Sequence, residues 1–163
     1  MAKSYAEVKD DLAPDGALRD FYILNVVPSD WDRFLAAVPS IVERVVFTRD
    51  DKDVTIPSSF ARIWAMKEET PESTTLMTMW VSGQTVCCHF FCDSEIELDF
   101  LPNAVDTEQR WNHLRAFFQY VVDTIGKKGI ITHENMQDFV IEEIVPTKIA
   151  EPRHTSDAEN PRL

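Results

Sequence analysis

With 163 residues and a formal net charge of -12, the chain has the size of one domain, and its acidity weighs against nucleic acid or an anionic membrane surface as a partner. Hydrophobic residues at 44% and charged residues at 27% exclude wholesale disorder. No stretch approaches the roughly 20 apolar residues of a membrane span, and residues 1–20 hold neither an apolar segment nor a small-residue cleavage site, so the expected location is the cytoplasm.

Residues 1–16 mix charges and end in Pro14, Asp15 and Gly16, which predicts a flexible lead-in closed by a turn. The domain is expected over residues 17–146. Residues 21–27 are dense in β-formers and stop at Pro28, predicting a first strand. Ser29 then reads as an N-cap, with Asp30 and Asp32 in the first turn and Trp31, Phe34, Leu35 and Val38 at helical spacing. Residues 45–48 form a second strand, residues 49–53 a charged turn, and Pro57 and Ser58 open a short helix carrying Phe60, Ile63 and Trp64. Residues 67–74, charged and interrupted by Pro71, read as a loop.

Residues 75–81 and 85–91 flank Ser82, Gly83 and Gln84 as a hairpin. After Asp93 and Ser94 comes the most informative segment, Glu95, Ile96, Glu97, Leu98, Asp99 and Phe100. A strand there puts three carboxylates on one face and three large apolar groups on the other. Asp106 is expected to cap the longest helix, whose stripe is Trp111, Leu114, Phe118, Val121 and Ile125, with Gly126, Lys127, Lys128 and Gly129 at its end. Residues 130–132 and 139–145 are two further strands, and residues 147–163, polar with Pro152 and Pro161, are expected to be disordered. Strands in consecutive hairpins predict an α+β fold, an antiparallel or mixed sheet with helices mainly on one face.

Three cysteines between positions 87 and 92 are not a disulfide framework and suit a reducing compartment. Cys87, Cys88, His89 and Cys92 have the right atoms for zinc, but strand alternation puts Cys87 and His89 on one face and Cys88 and Cys92 on the other, with Cys88 roughly 13 Å from Cys92 along the strand. They read as core packing beside a hydrogen-bonded histidine. A cysteine nucleophile served by His89 or His133 is disfavoured, because burial and surrounding acid both raise a thiol pKa. The P-loop pattern is absent around Gly126 and Gly129. No catalytic motif rises above background, and no metal or cofactor is implied.

Residues 51–100 carry nine acids against three bases. The row Glu95, Glu97 and Asp99 is open to three readings: a solvated outer strand face, a stripe for a basic protein partner, or oxygen ligands and acid/base groups spaced roughly 7 Å apart. Asp93 lies beside it, and Glu142 and Glu143 extend it if the last strand pairs nearby. Trp31, Trp64, Trp80 and Trp111 are core residues first, and any of them partly exposed beside the acids becomes an interface anchor. Against a binding face stands a small enzyme or ligand-binding domain, its pocket between the sheet and the long helix and lined by Met77, Met79, Trp80, Phe90, Phe91, Trp111, Phe117 and Phe118. A homodimer formed by the apolar hairpin is a third reading, and the oligomeric state stays open.

An early strand joined to a Trp31-containing helix over residues 20–38, with the later run from His89 to Pro102, resembles small acidic bacterial proteins, some of the immunity kind that neutralises a cognate toxin. The resemblance implies a stoichiometric inhibitor, cytoplasmic and without cofactor, whose partner is a basic toxin or nuclease domain. It carries over no individual functional residue. The expected partner surface, from the residues themselves, is Glu95, Glu97 and Asp99 with Asp93, Glu142 and Glu143.

Overall fold

The structure, a computed structural model, describes residues 2–147. The tail expected to be disordered therefore lies outside the described residues except for Thr147, whose backbone N–H donates to Asp123. Eight strands, β1 (Arg19–Leu24), β2 (Arg44–Arg49), β3 (Lys52–Val54), β4 (Thr75–Val81), β5 (Gln84–Cys88), β6 (Glu95–Phe100), β7 (Gly129–His133) and β8 (Met136–Ile144), form one sheet in the order β3-β2-β4-β5-β6-β1-β7-β8. Every pairing is antiparallel. The helices are α1 (Tyr5–Val8), α2 (Pro28–Ala37), α3 (Phe60–Glu69) and α4 (Glu108–Ile125), and the fold is α+β.

One face of the sheet is apolar because each strand alternates. Phe21 and Ile23 of β1, Phe47 of β2, Met77 and Met79 of β4, and Ile96, Leu98 and Phe100 of β6 are all at most 2% exposed. The helices cover this face. The expected stripe of α4 is buried in full, and Phe118 stacks on Phe21 with ring centroids 4.2 Å apart. α2 packs on both α3 and α4, and Trp31 lies stacked on Phe60 at 4.7 Å while its indole N–H donates to the Asp93 carbonyl. Thr107, rather than Asp106, caps α4 by accepting from the Arg110 N–H, and Asp106 pairs instead with the Arg110 side chain. Gly126 takes the left-handed conformation that stops the helix.

Several boundaries differ from expectation for identifiable reasons. β1 starts at Arg19 and ends at Leu24, where Asn25 turns the chain with a positive φ. Pro28 occupies the first turn of α2, and the N-cap role falls to the Asp30 carboxylate, which accepts from the Val27 N–H, rather than to Ser29. Asp32 reaches across to the Phe60 N–H and so helps start α3. That helix runs on to Glu69, through part of the segment expected to be a loop. β5 stops at Cys88 because Phe90 adopts φ 56 to bury its ring against Trp31 and Phe47.

The N-terminal lead-in is not loose. Val8 and Leu12 join the core, and the indole N–H of Trp111 donates to the Lys3 carbonyl. Arg19, 1% exposed, donates to the carbonyls of Asp11, Ala13 and Leu18 and to Asp15. A buried guanidinium offers five donors in a fixed fork, so it holds several turns of irregular backbone at once.

Candidate functional site

Among the described residues no helix lies over the opposite face of the sheet, where β6 is flanked by β5 and β1. Residues directly opposite in an antiparallel pair share a face, so the register Asp20↔Asp99, Tyr22↔Glu97 and Leu24↔Glu95 brings the β1 side chains level with the acidic row. Cys87 stands opposite Asp99 on the other side. Ile96, Leu98 and Phe100 point into the core, while Glu95, Glu97 and Asp99 are half-buried on the open face. The row is therefore accessible, but each of its members is already in contact with the chain.

Those contacts differ along the row. Asp99 holds His89, with Nε2 to Oδ2 at 3.1 Å, and this carboxylate is the main reason the imidazole pKa is raised. In the middle, the Tyr22 hydroxyl lies 2.9 Å from Asp20 Oδ2 and 3.2 Å from Glu97 Oε1. Glu95 accepts from the Gln137 side chain at 3.1 Å. Gln137 arrives there because the β7–β8 register slips around Thr132, which bulges residues 137–139 out of the ladder and folds the hairpin tip over β1. The same tip donates the Asn135 N–H to Asp20 Oδ2 at 2.6 Å, leaving Asp20 and Tyr22 no more than 3% exposed.

Burial and like charge govern the electrostatics. Desolvation raises the Asp20 pKa most, with Asp99 and Glu134 adding to it against the hydrogen bonds from Asn135 and Tyr22. Desolvation likewise raises that of Glu97, with Asp20, Glu95 and Asp99 as the repelling charges. Tyr22 is pushed up by burial and by the two carboxylates it touches. The Cys87 thiol is raised by burial and by Asp99, and the Cys88 thiol, wholly buried on the helix side, is raised by burial as well. Neither is an activated nucleophile.

Two large apolar side chains are exposed in the segments that bond the acids. Phe91, 62% exposed, stacks on His89 at 5.0 Å at the Asp99 end. Phe139, 60% exposed, belongs to the bulge whose Gln137 holds Glu95 at the other end. Trp80, half-buried in the sheet two strands from β6, faces the same side, and the Arg44 guanidinium lies over its ring at 4.7 Å. It is not a residue of the helix-side core, whereas Trp31 and Trp111 are fully buried there.

The remaining expected site residues separate. Asp93 is exposed in the loop that enters β6. Glu143 is exposed, bonds Lys128 at 2.7 Å, and lines a hollow of about 480 Å³ on the open face with Tyr22, Leu24, Ile130 and Val140. Glu142 does not belong to this surface. A β-bulge turns it inward, where it is 3% exposed and accepts from Arg115 at 2.7 Å and from the Lys3 N–H. Asp20 is the member that sequence reasoning missed. Its signal was the run Asp20, Phe21, Tyr22, Ile23, which alternates as β6 does. Met77, Met79, Phe90, Trp111 and Phe118, expected to line a pocket under α4, are at most 1% exposed and pack together, and Phe91 and Trp80 face elsewhere.

No helix among the described residues is long and apolar enough to cross a membrane. Comparison with known proteins returned no matching family model, no similar curated protein and no similar solved structure.

Proposed function

We propose that this chain is an acidic protein-binding module of the toxin-neutralising, immunity kind, which receives a basic surface of its partner on the open face of the sheet. The observation that carries the reading is one arrangement: Glu95, Glu97 and Asp99 in a row on a sheet face that no helix covers among the described residues, with the exposed rings of Phe91 and Phe139 in the two segments that bond the row. An interface of this type takes its affinity from a few large side chains that lose water on docking, surrounded by polar groups. Exposed ion pairs add about 1 kcal/mol or less each, so the acids act mainly on encounter. Asp93 and Glu143 extend the negative field at the margins. Rapid capture suits an inhibitor that must meet a toxin before it acts.

The test begins with a pull-down from the native host, followed by stopped-flow association with the purified partner. Replacing Glu95, Glu97 and Asp99 together by Lys is expected to slow association by about tenfold to a thousandfold at low salt and to weaken its salt dependence. Circular dichroism must show the variant folded. An unchanged rate and salt slope would mean that the partner docks elsewhere.

A further inference from the structure

The centre of the acidic row has more acceptors than hydrogens. Tyr22 has a single hydroxyl hydrogen, and two carboxylate oxygens lie within hydrogen-bond distance of it, Asp20 Oδ2 at 2.9 Å and Glu97 Oε1 at 3.2 Å. When the hydrogen is given to the nearer Asp20, Glu97 Oε1 faces the phenolic oxygen with nothing between them. Two oxygens at that distance without a hydrogen repel, and in a half-buried setting that repulsion is costly.

A cation would settle the account, but among the described residues no lysine, arginine or histidine pairs with Asp20 or Glu97. The titratable groups around Asp20, Tyr22 and Glu97 are Glu95 and Asp99 on β6, Glu134 at the β7–β8 tip, Cys87 on β5, His89 held by Asp99, and Lys127 and Lys128, which line the hollow beside Tyr22 but are bonded to Asp30 and Glu143. Apart from the imidazole and these two lysines, each paired with another acid, all are acidic or neutral.

We propose that Asp20, Tyr22 and Glu97 hold one proton in common. The Glu97 carboxyl donates to the Tyr22 oxygen, the Tyr22 hydroxyl donates to the Asp20 carboxylate, and a cationic side chain of the docking partner displaces the proton to solvent. The second half rests on the proposed function; the first does not. The row then has one negative charge fewer in the free protein than its three carboxylates and Asp20 would give, and the partner's lysine or arginine restores it. Docking strengthens as pH rises through the range in which the proton is held.

Two measurements on the full-length chain test the two halves separately. In a carboxyl-carbon NMR titration of the free protein, Glu97 is expected to titrate above the ordinary glutamate range. Asp20→Asn, which removes the repelling charge, should bring it back toward that range. Glu97→Gln serves as a second variant, since its amide donates to Tyr22 as a protonated Glu97 would and it is expected to fold at every pH. In that variant the fall in melting temperature on raising the pH should be shallower than in the parent, with both carrying His89→Gln to remove the imidazole contribution.

For displacement, binding of a hexalysine peptide is followed by calorimetry in two buffers of different ionisation enthalpy. The parent is expected to release a proton on binding, and Glu97→Gln none. An ordinary titration of both Glu97 and Asp20 overturns the proposal whether or not the peptide binds. A raised titration with peptide binding but no proton release overturns displacement. A raised titration with no peptide binding overturns displacement and the docking reading together, leaving the shared proton supported.

Discussion

The two faces of this sheet come from the same strands and obey opposite rules. On the helix side, alternate residues from β1, β2, β4 and β6 are all but fully buried, and Phe21 and Phe100 meet the Phe118 ring of α4. On the open side, the intervening residues of β6 and β1 satisfy one another through hydrogen bonds and crowd like charges together. Area removed from water stabilises the first face at roughly 25 cal/mol per Å². The second gains little from burial and bears a cost in unpaired charge, the kind of cost that persists where a surface serves another molecule. The comparison separates what holds the protein together from what it presents.

The contrast is sharpest at Phe118, which stacks on Phe21 and also meets Phe100 and Phe117. Phe118→Ala is expected to cost about 3–5 kcal/mol, read as a fall in urea midpoint at unchanged slope. Open-face charge should be untouched. The next largest effect belongs to Gly129, where an added Cβ would lie 2.5 Å from Cε2 of the Phe21 ring. That ring is clamped against Phe118 and has little room to yield. Gly129→Ala is expected to destabilise by about 2–3 kcal/mol by overpacking, and a variant as stable as the parent would show that β7 can move away from α4.

Acids placed at different sites should respond to pH with opposite signs. Asp30, 2% exposed at the start of α2, pays for burial but is bonded by Lys127, the Val27 N–H and Arg33, and these hold its pKa below the usual value. Its contribution is present above the unfolded aspartate pKa and is lost as pH falls through the lowered folded one. Asp20 and Glu97 are raised instead, so their contribution is full below the ordinary carboxylate range and declines as pH rises through their folded pKa values. Asp30→Asn should cost about 2 kcal/mol near neutrality and much less in acid. Thermal melts across that range check both slopes, and a loss independent of pH would assign Asp30 a packing role only.

How far the sequence foretold these features depends on whether their causes are local. The alternation of Glu95 to Phe100 and the stripe from Trp111 to Ile125 each bury one face, and both elements form as expected. The hairpin at Ser82 and Gly83 was legible too, from its glycine between two β-rich runs, but its loop is two residues rather than the expected three, because Ser82 and Gly83 both take positive φ and Gln84 joins β5. The errors share a different cause. Arg19 orders the lead-in through backbone carbonyls, which every sequence has and no pattern marks. Phe90 enters a left-handed conformation for tertiary packing that outweighs its β-propensity. Within the candidate site, the acids of β6 were visible as a row, but their pairing with Asp20 and Tyr22 depends on β1 entering the sheet between β6 and β7, a long-range choice.

Trp80 gives the smallest expected effect on stability and the most direct test of what the open face presents. It is the one tryptophan on β4, half-buried, and its ring contributes mainly through Arg44 above it rather than through the helix-side core. A cation over an indole at a partly exposed site is worth about 0.5–1 kcal/mol. Trp80→Ala is therefore expected to lower stability by about 1 kcal/mol, a shift of about 2–4 °C in Tm for a chain of this size. If the open face docks a partner, that variant should weaken binding well beyond its small structural cost, mainly through faster dissociation, because large aromatic anchors act on the bound state and not on encounter. Reversal of the acidic row should do the converse, slowing association. A Trp80→Ala variant with unaltered dissociation would confine the contact to the β6, β1 and hairpin-tip side of the face, leaving Phe91 and Phe139 as its anchors.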